Sequence, residues 1–69
     1  MEKDETKAVA LYRQAAEQGL AQAYNNLGLM YLQGHGVPAD RVEGLRWLGL
    51  AAQRGVASAQ SNINAAVAK

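Results

Sequence analysis

The chain has 69 residues, a net charge of +1 and no cysteine. Its length limits it to one small domain, and the lack of cysteine excludes a disulfide framework and a thiolate metal site. The charges are scattered without a basic stripe, which argues against nucleic-acid binding, and no apolar run approaches the ~20 residues of a membrane-spanning helix.

The first predicted helix covers about residues 4–18 and the second about residues 20–33. Asp4 can cap the first helix, although Lys7 stands where a capping box would need a glutamate. Gly19 is expected to end this helix in a left-handed conformation. Because the link to the second helix is so short, the two helices are predicted to be antiparallel neighbours.

The third predicted helix covers about residues 40–54 and the fourth about residues 56–68. Before them lies a loop from Gly34 to Ala39, in which two glycines permit positive φ and Pro38 stops a helix. Asp40 followed three residues later by Glu43 predicts a capping box. No segment alternates with period two, so an all-α fold of about four helices is predicted.

The chain also repeats itself with a period of about 36 residues. In this register Asp4 aligns with Asp40, Ala15-Ala16 with Ala51-Ala52, Gly19 with Gly55, and Asn26 with Asn62. The predicted organisation is a single helical-repeat domain. It contains a partial repeat over about residues 1–19, a repeat over about 20–55 and a terminal partial repeat over about 56–69.

Two sets of residues carry a family resemblance. Tyr24, Leu27-Gly28 and Tyr31 fit the aromatic-x-x-Leu-Gly-x-x-Tyr signature of the tetratricopeptide repeat (TPR). With Gly34-x-Gly36-Val37, Asp40, Trp47, Ala51-Ala52 and Gly55, the whole chain resembles the related Sel-one-like repeat (SLR). The resemblance implies antiparallel helix pairs in an α/α solenoid, a fragment of a TPR-like superhelix. Since the chain opens within the motif, we expect it to be part of a longer array.

The resemblance implies a scaffold or adaptor with a concave groove that binds a protein or peptide. The groove is lined by the first helix of each repeat, which here means the second and fourth predicted helices. The groove positions are Gln22, Asn25, Asn26, Leu29, Leu32 and Gln33 in the first copy and Ser58, Ser61, Asn62, Ala65 and Lys69 in the second. Asn26 and Asn62 are equivalent, and each amide can either hydrogen-bond a bound peptide backbone or tie one repeat to the next. Apart from Lys69 the wall carries no charge, so no clamp for a terminal carboxylate is predicted.

The alternative function is a structural terminal cap that forms a homodimer, for example by helix exchange. The first and last predicted helices have no outer neighbour within the chain. The apolar residues predicted to be exposed there, and to be buried by self-association, are Val9, Leu11, Tyr12, Ile63 and Val67.

Neither an enzyme nor a cofactor or metal site is predicted. His35 stands between two glycines with no nucleophile or acid nearby in sequence, so it is interpreted as a loop residue. Some similar proteins are described as hydrolases, but they carry cysteine pairs that are absent here.

Trp47 and Tyr31 are assigned to the core, and Gly28 to a close helix contact facing the alanine pairs. The resemblance suits a bacterial cytoplasm or periplasm, and the residues do not distinguish the two.

Overall fold

The computed structural model describes residues 4–68, which form four helices joined by short loops. The helices are α1 (Glu5–Glu17), α2 (Ala21–Gln33), α3 (Arg41–Gln53) and α4 (Ala57–Val67). Each helix packs on the next in the chain, and α4 also touches α2. The predicted all-α solenoid fragment is therefore confirmed, and each helix boundary differs from the prediction by one residue at most.

The ends of α1 and α3 explain why the repeat is visible in the sequence. Gly19 and Gly55 have φ of 86° and 90°, the left-handed conformation that favours glycine. After them, Leu20 N donates to Ala15 O and Val56 N donates to Ala51 O, each at 3.1 Å. Both ends are thus Schellman motifs, which satisfy the last carbonyls of a helix while reversing the chain.

The N-terminus of α3 differs in one respect from the predicted capping box. Asp40 Oδ1 accepts the N–H of Glu43 at 3.1 Å, as predicted. The reciprocal bond is replaced, because Asp40 N donates to Tyr31 O at 2.8 Å. The Glu43 carboxylate instead lies 3.7 Å from Arg46 Nη1. The Asp40 backbone therefore joins α3 to the end of α2 rather than completing a local box.

A reciprocal glycine contact sets the distance between α2 and α3. A Cβ at Gly28 would lie 2.6 Å from Leu48 Cγ and 2.9 Å from Gly44 O. A Cβ at Gly44 would lie 2.7 Å from Leu32 Cγ and 2.9 Å from Gly28 O. Gly28 thus meets Leu48, and Leu32 one turn later meets Gly44 one turn earlier, so α2 and α3 are antiparallel. The close contact predicted at Gly28 is present, but it faces Gly44 and Leu48 rather than the alanine pairs.

An aromatic pair packs between α2 and α3. Trp47 packs against Tyr24, with ring centroids 5.7 Å apart, and both belong to or contact the buried core. Arg54 lies over the Tyr24 ring, 5.1 Å from its centre, and donates to Gly19 O at 3.1 Å. Arg54 thereby joins the C-terminal ends of α3 and α1. Within residues 4–68, no helix is long and apolar enough to cross a membrane.

Candidate functional site

A groove lies where the C-terminal halves of α2 and α4 approach each other beside the start of α3. It encloses about 350 Å³. Its lining residues are Leu29, Leu32 and Gln33 from α2, Arg41 from α3, and Asn62, Ala65 and Ala66 from α4. The structure thus brings together five of the positions predicted to line the groove, from both copies of the repeat.

Arg41 is the lining residue that changes the predicted character of this wall. Its Nη2 donates to Ala66 O at 2.9 Å, so the first residue of α3 ties down the C-terminal turn of α4. The groove is therefore not the nearly uncharged wall that was predicted. Arg41 was missed because it belongs to the second helix of the repeat, and the resemblance assigns the groove to first helices only.

Beneath the groove, three polar side chains link the two first helices. Asn62 Nδ2 donates to Asn25 Oδ1 at 3.0 Å, and Asn25 Nδ2 donates to Ser58 Oγ at 3.4 Å. Asn25 is only 4% exposed, so its predicted contact with a partner is wrong. Its amide is already paired on both sides within the protein. Asn62 does tie one repeat to the next, which is the alternative reading of that amide, and it also lines the groove.

The other predicted groove residues lie outside the lining of this cavity. Gln22 and Ser61 are exposed and Asn26 is half-buried. Asn26 makes no side-chain hydrogen bond within the described residues, whereas its equivalent Asn62 bonds to Asn25 in the first helix of the preceding repeat. Lys69 lies outside the described residues.

The Asn25 network gives a stability prediction. Asn25→Ala removes a buried amide and leaves the half-buried Asn62 amide without its partner, which is expected to cost about 1–2 kcal/mol of unfolding free energy. Asn26→Ala is the matched control, and it is expected to change the free energy by less than about 0.5 kcal/mol. Urea unfolding of the two variants measures both values. Equal losses would show that the buried amide does not link the helices.

The residues predicted for self-association are dispersed. Val9 is 4% exposed and belongs to the core, so its predicted exposure is wrong: the Gly36 loop folds over it. Tyr12 and Ile63 are half-buried, whereas Leu11 is 57% exposed and Val67 is exposed. Leu11 lies in a shallow cavity of about 480 Å³ on α1, lined by Lys7, Ala10, Leu11, Arg13, Gln14 and Glu17. Homodimer formation through the four accessible residues stays a prediction.

His35 and Tyr31 each make a polar contact that the sequence did not predict. His35 Nδ1 lies 3.7 Å from Glu5 Oε2, and the two side chains are 50% and 41% exposed. The Tyr31 hydroxyl accepts a hydrogen bond from Arg13 Nη2 at 2.7 Å, which directs it to α1. Among residues 4–68, no cluster of three or more acidic or histidine side chains could hold a metal ion.

Comparisons with known proteins agree with this architecture. The family model of the Sel1 repeat matches residues 1–20 and 21–56. An F-box protein of Arabidopsis thaliana is 42% identical over 57 residues, which are 83% of this chain and 16% of that protein. The crystal structure of a Sel1 repeat protein from Oxalobacter formigenes matches with a TM-score of 0.86 and 39% identity, over 93% of this chain and 26% of that one. The chain spans only a small part of either relative, yet the family model covers most of the chain, which therefore belongs to the Sel1 repeat family.

Proposed function

We propose that the groove between α2 and α4 binds an extended segment of a partner protein and that the chain acts as a non-catalytic scaffold. Sel1 repeats are protein-interaction helical repeats, and proteins of this family are generally non-catalytic scaffolds. The observation that carries the proposal is the groove of about 350 Å³, to which both first helices contribute. Its size falls within the range of about 300–1,000 Å³ that is common for ligand sites.

The chemistry of the wall supports a peptide as the occupant. Leu29, Leu32 and Ala65 offer apolar surface against which side chains can be buried. Gln33 and Asn62 offer amides, each of which can both donate to a peptide carbonyl and accept from a peptide N–H. An extended segment carries unpaired N–H and carbonyl groups, so a wall that combines apolar and amide side chains suits it.

The test is a selection of binding peptides followed by a steric block. Peptides selected from a random displayed library on the immobilised protein are expected to bind at least about tenfold more weakly to Ala65→Trp, because the indole fills the groove. Ala65 is exposed, so the change leaves the core intact. Binding is measured by fluorescence anisotropy of the labelled peptides.

The matched control is Ala10→Trp, which fills the cavity on α1 instead. The selected peptides are expected to keep their affinity for it. Loss of binding in Ala10→Trp with retention in Ala65→Trp would assign the interaction to α1 and overturn the proposal. A selection that yields no peptide would overturn it as well.

A further inference from the structure

We propose that the Arg41 end of the groove selects an acidic side chain in the bound segment, beside an apolar one; this rests on the function proposed above. Arg41 is the one charged residue in the lining of the groove that the structure describes. The ion pairs within residues 4–68 are Glu43 with Arg46 and Glu5 with His35, and neither includes Arg41. The described groove therefore presents a positive charge that no described carboxylate pairs, with a backbone carbonyl as its hydrogen-bond partner.

The Arg41 guanidinium is held in place before any ligand arrives. Its Nη2 donates to Ala66 O at 2.9 Å, which ties the side chain to the end of α4. A guanidinium has five N–H donors, so several remain for a ligand. A carboxylate can accept two of them side by side, and fixing the side chain beforehand lowers the entropy lost on binding.

The neighbouring residues define what lies beside the acid. Leu29 and Leu32 form an apolar wall that suits a medium-sized aliphatic side chain. Asn62 uses its Nδ2 on Asn25, which orients the amide and leaves its Oδ1 to accept a peptide N–H. The occupant is thus an extended segment in which an aliphatic and an acidic residue are adjacent. Their side chains point in opposite directions, the aliphatic one to Leu29 and Leu32 on α2 and the acidic one to Arg41 beside the end of α4.

A side-chain carboxylate fits this site better than a chain terminus. The described lining supplies a single cation, and one of its N–H groups is already donated to Ala66 O. A terminal carboxylate ends the segment at Arg41, whereas an internal acidic residue allows the chain to continue along the groove in both directions.

The test compares four-residue peptides by NMR titration of the isotope-labelled protein. Acetylated and amidated Ala-Leu-Glu-Ala is expected to bind roughly fivefold more tightly than the same peptide with glutamine, with shifts confined to α2, α4 and the start of α3. Raising the salt concentration from about 50 to 500 mM should remove most of this preference, because exposed charges are screened. Ala-Leu-Gln-Ala with a free C-terminus tests the terminal carboxylate.

Two variants assign the preference to one residue. Arg41→Gln is expected to bind both capped peptides equally, and Arg41→Lys to keep part of the preference. Arg46→Gln is the control, since Arg46 is exposed and outside the groove, and it should keep the full preference.

Several outcomes would overturn the proposal. One is the absence of chemical-shift changes with the acidic peptide. Another is a preference for glutamate that survives in Arg41→Gln. A third is binding by the peptide with the free C-terminus alone. Equal binding of the capped glutamate and glutamine peptides at the groove would also overturn it, but would leave the peptide-binding function standing. If the peptide-binding function itself is wrong, none of the selected peptides will change the chemical shifts of the groove residues.

Discussion

Gly28→Leu is expected to lower the melting temperature of the protein by roughly 10 °C or more. Even the first added carbon would lie 2.6 Å from Leu48 Cγ and 2.9 Å from the backbone oxygen of Gly44. Leu48 is fully buried, so any shift of its side chain disturbs the packing of the core. Overpacking of this kind costs about 1–3 kcal/mol and sometimes more, and each kcal/mol shifts the melting temperature of a domain this small by about 4–8 °C.

Gly49→Leu provides the matched control, because Gly49 is also inside a helix but has open space around it. A Cβ there meets nothing within 4 Å. Replacing a glycine in a helix gains up to about 1 kcal/mol of helix propensity, so this variant should melt at the same or a higher temperature. Thermal unfolding followed by circular dichroism measures both variants. An unchanged melting curve for Gly28→Leu would show that α2 and α3 do not pack this closely.

Much of the fold could be predicted because its signals are local. Asp4 and Asp40 cap helices through bonds to residues three positions on, and Gly19 and Gly55 end helices through their own conformation. Such features need only neighbours in sequence, so the helix boundaries followed from them.

The features that sequence reasoning missed depend on how separate helices meet. Gly44 reads as an ordinary helix residue until the antiparallel packing places it against Gly28. Arg41 enters the groove because the start of α3 lies beside the end of α4. Asn25 is one position from Asn26, and only the orientation of α2 decides that Asn25 is the buried one. None of these is encoded in the spacing of apolar residues along one helix.

Gly36→Ala is expected to cost about 3 kcal/mol of unfolding free energy, against about 1 kcal/mol for Gly55→Ala. Both glycines have positive φ, 78° and 90°, so both variants pay the cost of a left-handed alanine. A Cβ at Gly36 would in addition overlap the Glu5 carbonyl and lie 2.9 Å from Val9 Cγ2, whereas one at Gly55 meets nothing within 4 Å. The difference between the two therefore measures the packing of the loop on α1.

Urea unfolding of both variants gives the two free energies, and hydrogen exchange gives their location. If the loop holds α1 in place, Gly36→Ala should weaken amide protection in the first turns of α1, around Val9, and Gly55→Ala should leave it unchanged. Equal losses of stability, with unchanged protection in α1, would show that the loop does not pack on this helix. The Gly36 loop covers Val9, so loss of that cover would increase the exposure of one of the apolar residues predicted for self-association. Gly36→Ala should then be the variant in which concentration-dependent association of the protein increases.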